Sequence, residues 1–280
     1  MEYLLGLLAG GFLLFNSSVT PGKVADKAQT ALHQLYPQAQ VAVQVEGKRG
    51  RDVLRGRFKR VRVNMTHVGN IEKPASQPAS ENKPASDFTL ETVTQTKNEG
   101  RIGRLEVEMR DFQAQGVSIE AARLESDDLR FDWKAVKKGT GIRVVGAQRT
   151  WAWVRIDASG VARLVAARLS GTRDVRVTLD NGMAHISGRR AFLGMGEVPF
   201  TLDARVVGER NVLRLRDTQL KVAGATLPSL VADPLLSRLD PVYTLDPRGE
   251  WPVAISLRNV RVERDGLELE ADLQWKTPTS

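Results

Sequence analysis

The 280-residue sequence contains no cysteine and only three histidines. Without cysteine there is no disulfide scaffold, no thiolate zinc site and no cysteine nucleophile. His33, His67 and His185 are scattered and lack metal-ligand spacing. No HExxH, GxSxG or P-loop pattern occurs. Gly194-Met195-Gly196 is too short for a dinucleotide fingerprint, and no strand–helix unit follows it. Asp127-Asp128, an adjacent acidic pair, heads an alternating segment and reads as a turn. These absences argue against an enzyme and predict neither a metal nor a cofactor. Long hydrophobic runs are scarce too, which excludes a multi-pass helical membrane protein.

The one uncharged apolar stretch lies at the start. Residues 3–22 carry no charge, and Tyr3 to Phe15 is apolar before Asn16-Ser17-Ser18. Thirteen apolar residues suit the core of a signal peptide better than a full span, which takes roughly 20. Residues 1–20 are therefore expected to be a signal peptide or membrane anchor. That places residues 21–275, read as a single domain, outside the cytoplasmic membrane: exported, periplasmic or anchored at the cell envelope. Lys23 and Lys27 pull weakly the other way, because cations resist translocation.

Acidic charge is locally absent as well. The chain carries 41 Lys+Arg against 33 Asp+Glu, a net +8. Lys48, Arg49, Arg51, Arg55, Arg57, Lys59, Arg60 and Arg62 lie within residues 48–62, with Asp52 the single acid, so this segment nets +7 and the rest of the chain +1. A near-neutral body with one basic segment suggests an anionic partner. Cations that deter edge-to-edge strand pairing would look the same.

What the sequence has in abundance is alternation. Pro21 to Tyr36 has a helical pattern with Val24, Ala28, Ala31, Leu32 and Leu35 apolar, and Pro37 ends it. Val41 to Val45, Val61 to Met65, Leu105 to Met109, Val117 to Ala121, Leu129 to Trp133 and Trp151 to Ile156 follow with period two. Asp157 or Ser159 would cap a helix through Leu169. Asp180-Asn181-Gly182 and Arg264-Asp265-Gly266 mark hairpin turns, and Phe200–Val207 pairs with Val212–Arg216 across Gly208–Asn211. Pro228 to Leu239 reads as a short helix. Between the first strands, KPAS, QPAS and KPAS at 73–76, 77–80 and 83–86 have nothing to bury and predict a disordered or extended loop over 70–87. The fold class expected is α+β: one long meandering antiparallel sheet with a few helices.

The carboxy-terminal layout carries a resemblance. A strand pair runs into Leu220-Lys221-Val222, then Leu227-Pro228-Ser229-Leu230-Val231-Ala232-Asp233-Pro234-Leu235-Leu236, then Leu239-Asp240-Pro241. The strand Trp251 to Val262 follows, and the end is Asp265-Gly266-Leu267-Glu268-Leu269-Glu270-Ala271. This resembles the LmeA-like phospholipid-binding family of bacterial envelope proteins, most clearly over residues 185–273. Earlier matches are the apolar start, the Val24–Leu35 helix, Leu54-Arg55-Gly56-Arg57-Phe58 and Trp153-Val154-Arg155-Ile156-Asp157. Two features depart from the family's pattern: Gly47-Lys48-Arg49-Gly50-Arg51, where an aromatic-Pro stretch is usual, and the Pro-Ala-Ser insertion.

The resemblance implies an elongated, tubular lipid-binding fold, in which a curved antiparallel sheet wraps a long helix and leaves an apolar groove for acyl chains. On that reading the eight cations of residues 48–62 meet the headgroup or an anionic membrane surface, and Val24, Ala28, Leu32 and Leu35 line the groove. Core packing explains the helix face equally well. Trp133, Trp151, Trp153 and Trp251 suit either a membrane interface or core and edge packing. The alternative is a structural or scaffolding envelope module that binds a protein or an anionic glycan. Nucleic acid is the less expected polyanion, because no aromatic-plus-basic reading surface is visible.

Overall fold

The structure, a computed structural model, describes residues 20–47, 50–71, 99–114, 116–138, 144–169, 171–191, 196–228, 232, 236–237, 240–245 and 253–276. The expected signal or anchor, Lys48, Arg49 and Trp251 lie outside them, as does most of the Pro228–Leu239 helix.

The described residues form four helices and fourteen strands in two sheets, not the single sheet expected. The first sheet takes β1 (Gln40–Glu46), β2 (Arg57–Asn70), β3 (Glu99–Ala114), β4 (Val117–Asp132), β6 (Arg149–Asp157), β14 (Gly266–Trp275) and β13 (Val253–Glu263) in that order, with β5 (Val144–Gly146) on β4. The second takes β11 (Ala225–Thr226), β10 (Val212–Val222), β9 (Glu197–Glu209), β8 (Met183–Ala191) and β7 (Thr172–Asp180), with β12 (Tyr243–Thr244) on β10. All pairings are antiparallel except β2 with β3, which run parallel. The expected antiparallel meander is broken there because residues 71–98 intervene: a two-residue turn reverses direction, whereas a long crossover can return the chain parallel.

Several strands are longer than their alternation suggests, and left-handed residues within them are the reason. Asp128 has φ 52 within β4, so the buried phase Ala122, Leu124 and Ser126 continues as Leu129 and Phe131 on the same face. One left-handed residue shifts the side-chain phase by one. Asp127-Asp128 is thus interior to a strand and not a turn. Trp133, expected to end the strand, instead opens the short helix Trp133–Lys138. β2 likewise starts at Arg57 and runs through Asn70. Ile71 is buried and its N–H donates to Gln113 at 2.7 Å, so the expected loop cannot begin at 70; residues 72–87 of it lie outside the described residues.

The turns follow their chemistry. Asn181 and Gly182, both at positive φ, make the two-residue link from β7 to β8. Thr20 caps the Pro21–Leu35 helix by accepting from the Lys23 N–H. Asp157 caps the Ala158–Arg168 helix by accepting from Gly160 N–H at 2.6 Å. Burial by itself would raise the Asp157 carboxyl, but the Gly160 amide and the Ser159 and Ser118 hydroxyls outweigh it and hold the group below its ordinary value.

Two apolar clusters result. One joins the Pro21–Leu35 helix to the inner face of the first sheet. The other joins the Ala158–Arg168 helix to the second sheet and the adjoining parts of β13 and β14. Ile119, Val154 and Leu257 pack against both, so the interior is continuous. At one end, Trp133 stands edge-on to Phe58 and Phe131, and its Nε1–H donates to the Leu54 carbonyl at 2.9 Å. Gly56 turns beneath it at φ 68, where a Cβ would sit 2.6 Å from the indole. Gly56→Ala is expected to destabilise the fold by about 1–3 kcal/mol from backbone strain and overpacking. This will read as a lower urea midpoint at unchanged m-value.

Candidate functional site

The basic segment divides in the structure. From Arg57 onward it is strand β2, where side chains alternate between faces. Val61, Val63 and Met65 point inward, and Arg60 and Arg62 point outward. Parallel pairing sets Arg62 beside Glu106 of β3. Arg62 Nε donates to Glu106 Oε2 at 2.7 Å, Arg60 Nε lies 3.5 Å from Oε1, and Arg104 Nε approaches Oε1 at 2.8 Å. Arg104 also reaches Glu125 at 2.8 Å, and Arg123 contacts the same carboxylate.

Glu106 is thus a buried carboxylate ringed by three guanidinium groups, with its side chain only 9% exposed. Burial by itself would push its carboxyl up. The Arg62 hydrogen bond and the charges of Arg62, Arg60 and Arg104 override this and hold it below the ordinary glutamate range. Arg60 and Arg62 are therefore engaged within the sheet. Arg55, Arg57 and Lys59 are exposed, and no ion pair involves them among the described residues. Arg51 lies in the short helix Gly50–Leu54 that leads into the strand. The outward face continues across β4 and β6 with Trp151 and Trp153 half-buried, Arg123 standing 5.8 Å over the Trp151 ring.

The inward face is largely apolar, and its register forms rows. One row runs Val43, Val63, Val107, Leu124, Ala152, Ala271 and Leu257 across seven strands. The next runs Val45, Val61, Leu105, Ser126, Thr150, Leu273 and Ile255. Its two hydroxyls satisfy each other at 2.8 Å, and Thr150 also accepts from Trp275 Nε1 at 3.2 Å. Val24, Ala28 and Leu32 are sealed against this face at 2–4% exposure, whereas Leu35 points outward at 53%. Three of the four helix residues are thus brought together on the apolar face and the fourth is not. The helix packs chiefly against β1, at one edge of the sheet.

The second sheet assembles a cationic group that no run of sequence announces. Arg173 stands directly opposite Arg189, with Arg176 and Arg190 close by on the same two strands. Arg173 pairs with Glu197 at 3.1 Å. Arg176, Arg189 and Arg190 have no acidic partner among the described residues. The only sequence signal was the Arg189-Arg190 doublet after the Asn181-Gly182 turn. No three His, Asp or Glu side chains gather as a metal site among the described residues, and no helix there is long and apolar enough to cross a membrane.

In comparison with protein-family models, residues 98–272 match the model described as LmeA-like phospholipid-binding. The Pro21–Leu35 helix and the 48–62 segment lie outside the matched span. No curated protein and no solved structure matches the chain.

The Glu106 cluster has a pH signature. A carboxyl whose folded pKa is depressed adds stability at pH above its unfolded value, about 4.3, and that stability is lost as pH falls through the lower folded value. The urea midpoint is expected to drop below pH 4.3, and Glu106→Gln should flatten that drop while lowering the midpoint at pH 7. An unchanged acid profile in the variant would contradict this.

Proposed function

Because the chain belongs to the LmeA-like phospholipid-binding family, we propose that it binds phospholipid non-enzymatically, with acyl chains in an apolar groove between the first sheet's inner face and the Pro21–Leu35 helix, at the cell envelope outside the cytoplasmic membrane. The family match, which spans most of both sheets, carries this reading. Physical features support it. An acyl chain needs an extended apolar surface, and rows of seven strands supply one wider than a single helix. The row through Ala152 and Ala271 is lined by small side chains at its centre. Val24, Ala28 and Leu32, packed on the sheet, close one side of that surface. The apolar Tyr3–Phe15 stretch ahead of the domain supports export or anchoring.

Contact with an anionic membrane falls to the exposed cations Arg55, Arg57 and Lys59, with Lys48, Arg49 and Arg51 beside them in the chain. Arg60 and Arg62, turned to Glu106, take part mainly as structural ion pairs. Each basic side chain near such a surface contributes about 1 kcal/mol, screened by salt.

Organic extracts of the purified protein should contain phospholipid by mass spectrometry, and Leu32→Asp should lower the lipid-to-protein ratio in the fraction that remains folded. Lipid-free extracts, with no rise in melting temperature on adding phospholipid, would sink the reading. The combined variant Arg55→Glu, Arg57→Glu, Lys59→Glu should lose binding to phosphatidylglycerol vesicles at low salt and keep its melting temperature. Arg60→Glu should instead destabilise the fold. Equal vesicle binding by wild type and triple variant would remove the membrane role of this segment.

A further inference from the structure

The inner face of the second sheet is graded in polarity along β8. Leu179, Ala184 and Ala204 form one cross-strand row, and Val177, Ile186 and Leu202 the next. The terminal row is Thr172, Arg190 and Val198. Arg190 follows Ala184, Ile186 and Gly188 on the same face by alternation. It is partly buried there and has no acidic partner among the described residues. Thr172 Oγ1, on the residue directly opposite, is buried with no hydrogen-bond partner among the described residues. Val175, Val177 and Val198 nearby are only partly covered. Among the described residues, a cation without an acidic partner and a hydroxyl without a hydrogen-bond partner therefore end an otherwise apolar face.

A bulge creates this arrangement. Counting back from the Asn181-Gly182 turn, the register would set Asp174 opposite Arg189 and Arg173 opposite Arg190. Asp174 instead takes φ 56 and shifts the pairing by one, so Arg173 faces Arg189 and Thr172 faces Arg190. Complementary charge is removed from opposite Arg189, and like charges directly opposed are unfavourable. At Arg190 the same shift replaces Arg173 by the Thr172 hydroxyl as the residue directly opposite. Arg176 and Arg189, exposed on the opposite face at the same end, add positive potential there.

We propose that Arg190 and Thr172 form a phosphate-binding pair for the phospholipid headgroup. The guanidinium donates two hydrogen bonds to phosphate oxygens, the Thr172 hydroxyl donates a third, and an acyl chain lies along the partly covered Val175, Val177 and Val198. This rests on the phospholipid reading above and adds a headgroup site remote in sequence from residues 48–62. Ile119, Val154 and Leu257 connect it to the apolar interior of the first sheet.

The test uses the full chain titrated with fluorescent phosphatidylglycerol and with fluorescent diacylglycerol of the same chains, which lacks the phosphate. Arg190→Gln should weaken phosphatidylglycerol binding roughly tenfold, the loss of one bidentate charged contact, and leave diacylglycerol binding unchanged. Arg190→Lys, which keeps charge without the fork, should fall between. Thr172→Val should raise the melting temperature by removing an unsatisfied hydroxyl and yet weaken phosphatidylglycerol binding several-fold. A merely structural orphan would give the stabilisation alone. Unchanged phosphatidylglycerol affinity in Arg190→Gln, or equal loss of both lipids in both Arg190 variants, overturns the site while leaving the function standing. A heparin affinity that depends on Arg190 while phosphatidylglycerol affinity does not would assign the pair to a polyanion and also overturn it. Wild-type protein that binds neither lipid overturns the function itself, and the site with it.

Discussion

Strand β13 pairs along one edge with β14, and its other edge meets two turns of the second sheet. The Gly182 N–H donates to the Val262 carbonyl at 3.3 Å, and the Leu257 N–H donates to the Arg210 carbonyl at 2.6 Å. A free strand edge is a row of unpaired donors and acceptors; here the hairpin turns β7–β8 and β9–β10 occupy part of it. The approach is close enough that a Cβ on Gly208 would stand 2.7 Å from Val260. Because this joint places the two sheets side by side, Leu257 can pack into both apolar clusters, which Ile119 and Val154 also join.

The outward faces use charge in two ways. On the first sheet, parallel pairing of β2 with β3 and antiparallel pairing of β3 with β4 interleave Arg60, Arg62, Arg104 and Arg123 with Glu106 and Glu125. The cations there are largely consumed by the fold. On the second sheet, the bulge at Asp174 moves the pairing in the opposite sense and leaves Arg189 facing another arginine. The richest basic run in the sequence is thus partly neutralised, while Arg176, Arg189 and Arg190 have no acidic partner among the described residues. Net charge along a sequence window does not decide which cations are free; their cross-strand partners do.

Much of the local structure was legible. The capped helix at Pro21, the Asp157 cap, the Asn181-Gly182 hairpin and the alternating strands depend on residues within a few positions of one another, and side-chain chemistry at that range is visible in sequence. The strand ends were less so. Asp128 in the left-handed region hides the continuity of β4 by changing its phase, so one strand read as two. Val24, Ala28 and Leu32 were legible as an apolar face. That Leu35, the last residue of the helix, turns away from it was not.

The amino-acid sequence alone determined a β-rich chain with few helices, its hairpin turns, its apolar and polar strand faces and its family. Those properties are set by period and by short-range backbone preference. Only the tertiary structure decided that there are two sheets, that β2 and β3 run parallel, that Glu106 gathers three arginines, and that Arg190 ends an apolar face beside an unpartnered hydroxyl. Each of these is a question of register between segments far apart in the chain, and a single left-handed residue changes which side chains meet.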